Sequence, residues 1–149
     1  MAKERTPFKL DCISKSSKLP LYIELNCTEV TWNCPLNPNH TQPDFGRVFI
    51  SYTPNKKIAE TKSLKFYLQS YRYKDAFNEE LATRICQDLA YFLEPSYLVV
   101  ELHQNSRGGI ANTSKVTYDS GDQSCIEAMR TYIPKTNFRG GWPKVKEEK

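Results

Sequence analysis

The sequence predicts an α+β domain in which two helices lie between two pairs of strands, in the order ββααββ. Three observations predict this class: β-branched and aromatic runs before residue 53, two amphipathic helical stripes between residues 64 and 93, and two further strand-like runs after Pro95. A chain of 149 residues has the usual length of one domain. We therefore expect a single domain over residues 1–149.

The first two strands are predicted at residues 19–25 and 47–52. Both runs are rich in the β-branched and aromatic residues that suit the surface of a sheet. Asn, Pro and Gly are concentrated between them, at residues 37–46. The two strands are therefore expected to be joined by a long loop.

The two helices are predicted from apolar residues spaced three and four positions apart. The first stripe consists of Leu64, Tyr67, Leu68 and Tyr71, and the second of Leu81, Ile85, Leu89, Phe92 and Leu93. Asn78 is the expected N-cap of the second helix, because a short amide side chain caps helix starts well. Glu79 and Glu80 then suit the positive end of the helix dipole.

A second pair of strands is predicted after the helices. Pro95 ends the second helix, residues 97–102 read as a strand, and residues 110–118 return antiparallel to it after a turn at Arg107-Gly108-Gly109. A four-stranded sheet in so short a chain leaves one face and two edge strands uncovered. We therefore expect a homo-oligomer with active sites between subunits.

Composition indicates an ordinary globular chain and excludes disorder throughout. Hydrophobic residues make up 39% and charged residues 26%, and no apolar run approaches the roughly 18 residues of a membrane span. The charged N-terminus lacks the apolar run of a signal peptide. We expect a cytosolic protein without membrane contact. Its five cysteines, an odd number with no CxxC pair, are expected to be free thiols.

The net charge of +4 comes from the ends of the chain. Residues 1–18 and residues 135–149 each hold five basic and two acidic groups, so the segment between them carries −2. We interpret both ends as solvated, flexible basic tails. A weak electrostatic footprint for RNA is the less favoured alternative, so nucleic acid is not the expected partner.

Cys34 and Asp44 are the candidate catalytic residues, at the two ends of the predicted loop. A thiolate is a nucleophile, and a carboxyl group nearby can supply a proton in an addition reaction. Without context, each has a structural alternative. A lone cysteine is more often a small buried apolar residue, and Asp44 suits a turn before Gly46.

Charged residues at the starts of the two helices are the candidate binding residues. Lys62 and Lys65 are three positions apart on one helix face, where they can hold a phosphate or form a solvated charged face. Glu79 is either an acid favoured by the helix dipole or an acceptor for the two N–H donors of a guanine-like edge.

Taken together, these motifs resemble one family, the nitrile reductases of queuosine biosynthesis. The resemblance covers residues 25–118, and the block ETKSLKFYL is its most diagnostic part. The matching residues are Cys34, Gln42-Pro43-Asp44-Phe45, Glu60 to Leu68, Ser70-Tyr71-Arg72, Phe77-Asn78-Glu79-Glu80 and Arg107-Gly108-Gly109-Ile110. It implies the reduction of 7-cyano-7-deazaguanine to 7-aminomethyl-7-deazaguanine with NADPH. The fold it implies is the tunnelling fold, assembled into rings with substrate sites between subunits.

The resemblance also implies a role for each candidate residue. Cys34 would add to the nitrile carbon to give a thioimidate, and Asp44 would supply the proton. No metal is implied. The implied substrate-binding residues are Glu60, Thr61, Asn78 and Glu79, and the implied NADPH-binding residues are Lys62, Lys65, Arg107 and Gly108.

The chain departs from the family pattern at three points. The family usually has His where this chain has Asn78, so an imidazole that would assist proton transfer is missing. Thr61 replaces the usual Ser or Leu. The interval from Cys34 to Asp44 holds about three extra residues, among them His40, compared with the short form of the family.

Two other functions compete with the reductase. The first is a relative that forms the same thioimidate on a nitrile-bearing tRNA base and then makes an amidine from ammonia. Lys62 and Lys65 disfavour it, because amidine-forming relatives lack this cofactor block. The second is a catalytically silent module that binds a deazaguanine or RNA. A GTP cyclohydrolase is disfavoured because its Cys-x-x-His zinc pattern is absent.

Overall fold

The computed structural model describes residues 9–37 and 42–121. Its strands are β1 (Cys12–Ser14), β2 (Ile23–Trp32), β3 (Asp44–Thr53), β4 (Lys57–Ala59), β5 (Tyr97–Gln104) and β6 (Thr113–Asp119). Its helices are α1 (Thr61–Gln69), a 3-10 helix (Ser70–Tyr73) and α2 (Asn78–Leu93). The predicted tail at residues 135–149, the first eight residues of the N-terminal tail and His40 lie outside the described residues.

The main sheet has the strand order β2-β3-β5-β6, with every neighbouring pair antiparallel. The predicted α+β class and the ββααββ order of its main elements are therefore confirmed. The two short strands β1 and β4 were not expected, and they pair with each other in a separate two-stranded sheet. No helix of the described residues has the length and apolar character that a membrane crossing requires.

The core lies between the main sheet and the two helices. Leu98, Val100 and Leu102 alternate along β5 and are fully buried. The predicted helical stripes supply the other side of this core, where eight of their residues are almost inaccessible and Phe92 is half-buried. The eight are Leu64, Tyr67, Leu68, Tyr71, Leu81, Ile85, Leu89 and Leu93.

Several boundaries differ from the sequence prediction, and two of these differences bear on the site. The first long strand covers Ile23–Trp32, not residues 19–25, and β3 begins at Asp44, not at residue 47. The pairing of β2 with β3 shifts between Cys27 and Val30, which marks a bulge. A bulge breaks the period-two alternation that identifies a strand in sequence, so the second half of β2 was not recognised.

The second boundary is the start of α2. Asn78 is the first helical residue, and Phe77 takes the N-cap position without a side-chain hydrogen bond to the helix. The expectation that Asn78 caps the helix was wrong. Its amide group bonds to Trp32 and Gln104 instead of to the backbone of its own helix.

Candidate active site

Four elements meet at one end of the main sheet. There β2 ends at Trp32, β3 begins at Asp44 opposite it, and β5 ends at Gln104 opposite Gly46. The start of α2 reaches the same end because Asn33, next to Cys34, exchanges backbone hydrogen bonds of 3.0 Å with residues 74 and 76. The structure therefore brings Cys34, Asp44 and the start of α2 to one place.

Cys34 lies in a short turn directly after β2. It is partly exposed, and its carbonyl oxygen accepts a 3.0 Å hydrogen bond from the backbone of Asn37. Burial raises the pKa of the other three thiols of the described residues, those of Cys12, Cys27 and Cys86, in the last case to about 11. Burial therefore makes these three poor sources of thiolate near neutral pH.

Asp44 is buried at the start of β3, and Arg107 is its ionic partner. The guanidinium of Arg107 donates from Nη1 to the carboxylate of Asp44 and from Nη2 to the side-chain oxygen of Gln42, the latter at 2.7 Å. Arg107 begins the predicted turn of β5 and β6, in which Gly108 and Gly109 have φ values of 58° and 79°. Both positive angles favour glycine.

Asn78 is the centre of a chain of three polar side chains. The indole nitrogen of Trp32 donates to Oδ1 of Asn78 at 3.1 Å, and Nδ2 of Asn78 donates to Oε1 of Gln104. Because an indole N–H only donates, the oxygen of the Asn78 amide must face Trp32. The start of α2 is therefore joined to the ends of both β2 and β5.

Glu79 lines a shallow groove between α2 and β6. Asn112 donates to Oε1 of Glu79 at 3.0 Å, and Ser114 donates to the amide oxygen of Asn112 at 2.9 Å. The groove has a volume of about 580 Å³, within the usual range for a small-molecule site. Its lining residues are Glu79, Thr83, Ala111, Asn112, Thr113, Ser114, Lys115 and Val116.

Gly46 allows the strands of this region to approach closely. A Cβ atom at this position would lie 2.3 Å from the carbonyl oxygen of His103 and 3.0 Å from the ring of Trp32. The first contact is with a backbone atom, which cannot move aside as a side chain can, so a residue with a Cβ atom does not fit here. Gly46 thereby lets β3 pack against β5 beside the Trp32 ring.

The remaining predicted residues lie at the other end of the molecule. Glu60 directly follows β4, whose Lys57 contacts the carbonyl oxygen of Phe92 and the carboxylate of Glu94. These contacts place the start of α1 beside the end of α2. Because α2 has 16 residues, its two ends are about 24 Å apart. One chain therefore does not bring Glu60 together with Glu79.

Glu60 caps α1 with its carboxylate. Its two oxygens accept backbone hydrogen bonds from Lys62 at 2.8 Å and from Ser63 at 2.7 Å. These bonds lower the pKa of Glu60 from its ordinary value of 4.5. Thr61, Lys62 and Lys65 follow on the exposed surface, and neither lysine forms an ion pair within residues 9–37 and 42–121.

Three residues of the site were missed by sequence reasoning. Trp32, Gln104 and Asn112 each hold a predicted residue in position, and none belongs to a recognisable motif. The sequence offered no signal for Trp32 and Gln104, because the predicted strands ended before both residues.

The fold and this cluster define an α+β protein with a candidate site for nucleophilic chemistry at a cysteine. Residues 43–124 match the family described as QueF-like protein, which is more than half of the chain. The chain belongs to the QueF-like protein family.

Two curated relatives and one solved structure illustrate the similarity. The NADPH-dependent 7-cyano-7-deazaguanine reductase of Helicobacter pylori (strain G27) is 48% identical over 96 residues, which are 64% of this chain and 63% of the relative. The protein of the same name from Frankia casuarinae is 43% identical over 96 residues, 64% of this chain and 74% of the relative.

The similarity therefore spans slightly less than two thirds of the length of the Helicobacter relative. The solved structure is that of the archaeosine synthase QueF-Like in the apo form. It has a TM-score of 0.60 and 22% sequence identity, and the match covers 67% of this chain and 95% of that one. At this identity the match shows that the two proteins share a fold.

Proposed function

We propose that this protein is an NADPH-dependent nitrile reductase that converts 7-cyano-7-deazaguanine to 7-aminomethyl-7-deazaguanine. The single observation that carries the proposal is the convergence of Cys34, Asp44 and Glu79 at one end of the sheet. A thiol, a buried carboxylate and a surface carboxylate in a groove are the groups that such a reaction needs. The names of the curated relatives agree with this substrate and cofactor.

In the proposed addition step, the sulfur of Cys34 bonds to the nitrile carbon. One π bond of the nitrile breaks, and its electron pair goes to nitrogen. The carboxylate of Asp44 takes the proton of the Cys34 thiol and delivers it to that nitrogen. The product of this step is a thioimidate. Glu79 accepts hydrogen bonds from the N–H edge of the base, and Asn112 keeps one of its oxygens in place.

NADPH would supply the two hydrides that reduce the thioimidate to the amine. Lys62 and Lys65 fit its phosphates, because both are exposed cations on one face of α1 and neither is in ion-pair contact with an acidic side chain among the described residues. The two lysines would hold the phosphates of the cofactor through charge-assisted hydrogen bonds.

We further propose that each site forms between two subunits of a homo-oligomer. Glu60, Lys62 and Lys65 lie about the length of α2 from Cys34 and Glu79, so one chain does not assemble both groups. A neighbouring subunit can supply the α1 residues, as in the ring of the tunnelling fold that the sequence resembles. A cytosolic location and independence from nucleic acid remain part of this proposal.

The proposal is tested by incubating the purified protein with 7-cyano-7-deazaguanine and NADPH. We expect the absorbance of the reduced nicotinamide to fall and the 7-aminomethyl product to appear by mass, with two NADPH consumed for each product. Product formation that needs ammonia and consumes no NADPH would identify an amidine-forming enzyme instead. Binding of the base without any product would identify a silent binding module.

A further inference from the structure

We infer that Arg107 is a positioning residue for Asp44. This inference rests on the proposed function, in which the carboxylate of Asp44 carries the proton from the Cys34 thiol to the nitrile nitrogen. The resemblance implies that Arg107 binds the cofactor, whereas in the structure its guanidinium contacts Asp44 and Gln42 of the same chain.

The difference in exposure indicates how much Asp44 depends on this contact. The side chain of Asp44 is 7% exposed, whereas that of Arg107 is 40% exposed. A carboxylate with little access to water needs a partner for its charge, and within the described residues Arg107 is the cation in ion-pair contact with it. Loss of Arg107 would leave Asp44 buried without a counter-charge and free to rotate.

The backbone around Arg107 is held firmly enough to aim the guanidinium. Arg107 and Ile110 exchange two backbone hydrogen bonds, of 2.9 and 3.0 Å, across the turn. Asn105 donates a 2.8 Å backbone hydrogen bond to Phe45, the neighbour of Asp44. The strand that leads to Arg107 is thus fixed to the strand that begins with Asp44.

The contact with Gln42 extends the same effect to the loop that follows Cys34. Nη1 and Nη2 of the planar guanidinium bond to two different side chains, so both are fixed relative to one rigid group. Asn37 also donates to the carbonyl oxygen of Gln42, at 3.5 Å. Arg107 therefore fixes the returning end of the loop between the nucleophile and the proton donor.

Nitrile addition without NADPH separates this role from cofactor binding. We would measure the rate of adduct formation on Cys34 by intact mass, with the nitrile base alone, in the unmodified protein, Arg107→Met and Arg107→Lys. Arg107→Met should slow the addition about a hundredfold, the scale of losing a correctly placed group that both takes and gives the proton. Arg107→Lys keeps the charge but not the planar guanidinium group. Its addition rate should lie between those of the unmodified protein and Arg107→Met. Added guanidinium should restore part of the addition rate of Arg107→Met, because it can take the place of the missing side chain. A purely structural defect would not be rescued in this way.

A double-mutant cycle on unfolding by urea tests the pair itself. Arg107→Met and Asp44→Asn should be non-additive by about tenfold in the unfolding equilibrium constant. The matched control is the surface pair of Arg84 and Glu80, whose atoms are 3.0 Å apart but whose side chains are 35% and 51% exposed. Its cycle should be nearly additive.

Each outcome decides the inference. An unchanged addition rate in Arg107→Met, with a raised KM for NADPH, would overturn the positioning role and leave Arg107 to the cofactor. Additive effects of Arg107→Met and Asp44→Asn on unfolding would show that the two side chains do not interact, which would overturn the inference. An unmodified protein that forms no adduct would overturn the proposed function, and the positioning role for the reaction with it.

Discussion

The indole nitrogen of Trp32 donates a 3.1 Å hydrogen bond to the side chain of Asn78. Trp32 lies two residues before the candidate nucleophile Cys34, and Asn78 lies one residue before Glu79. This bond joins the strand that leads to the proposed nucleophile with the helix that carries the proposed base-binding carboxylate. Trp32 is fully buried, so its N–H has no water as an alternative partner.

Asn78→Leu should therefore destabilise the protein, by about 1–3 kcal/mol, the cost of leaving a buried donor unpaired. Urea unfolding measures this loss. Combining Asn78→Leu with Trp32→Phe should cost less than the sum of the two single changes, since the donor is then gone. Gln87→Leu, on the exposed face of the same helix, is the control and should change little. A double variant whose loss of stability equals the sum of the two single losses would contradict the hydrogen bond between Trp32 and Asn78.

Asn78→His should preserve the fold and speed the reduction. A neutral imidazole can accept from Trp32 with one nitrogen and donate to Gln104 with the other, as Asn78 does. Unlike an amide, it can also give and take a proton near neutral pH. We expect faster NADPH oxidation with an unchanged rate of adduct formation on Cys34. Equal rates of both steps in the two proteins would show that no proton relay is missing.

Glu60 predicts a dependence of stability on acidic pH. Its pKa in the folded protein is lowered, chiefly by the backbone N–H groups of Lys62 and Ser63, so the ionised form stabilises the fold. This stabilisation is present above the ordinary Glu pKa of 4.5, which applies to the unfolded chain, and is lost as the pH falls through the lower pKa of the folded protein. Glu60→Gln should be less stable than the unmodified protein at neutral pH, and the difference should shrink in acid. A difference that is constant with pH would contradict the cap.

Lys62 and Lys65 predict a preference for NADPH over NADH. The 2′-phosphate gains charge-assisted hydrogen bonds, each of about 1.5–3 kcal/mol, that a ribose hydroxyl does not make. Either lysine changed to alanine should raise the KM for NADPH about tenfold and leave adduct formation unaffected. Lys18→Ala, an exposed lysine outside the site, is the control. Equal use of NADPH and NADH by the unmodified protein would remove both lysines from this role.

The separation of Cys34 from Lys62 predicts complementation between subunits. At NADPH concentrations well below the KM of Lys62→Ala, Cys34→Ala and Lys62→Ala should each have low activity alone, and coexpression of the two should restore part of it. If each site takes Cys34 from one subunit and Lys62 from the next, roughly a quarter of the sites in random mixtures carry both groups. Steady-state NADPH oxidation by the copurified mixture, compared with each variant alone, measures this. Activity that remains at the average of the two variants would place both groups in one subunit.

The fold followed from the sequence where periodicity was uninterrupted. The stripe that includes Leu64 and Tyr71 gave α1 and the 3-10 helix, and the turn at Arg107 lies where predicted. Periodicity failed at β2, where the bulge between Cys27 and Val30 interrupts the alternation. The pairing of β1 with β4 joins segments more than 40 residues apart, and no local pattern signals it.

The candidate site was only partly accessible to sequence reasoning. Motifs identified Cys34, Asp44 and Glu79 by residue type, but hydrogen bonds between elements remote in sequence determine what holds them. Arg107 lies 63 positions from Asp44, and a side-chain contact over that interval depends on the tertiary fold. The sequence likewise gave no sign that Glu60 and Glu79 lie at opposite ends of α2.

Intact mass of the protein, first with 7-cyano-7-deazaguanine alone and then after addition of NADPH, tests the central claim most directly. We predict one adduct per chain, equal in mass to the nitrile base, which is absent in Cys34→Ala and present in Cys27→Ala. Addition of NADPH should remove the adduct and release the 7-aminomethyl product. An adduct that persists in Cys34→Ala, or one that NADPH does not remove from the unmodified protein, would contradict a reductase that acts through Cys34.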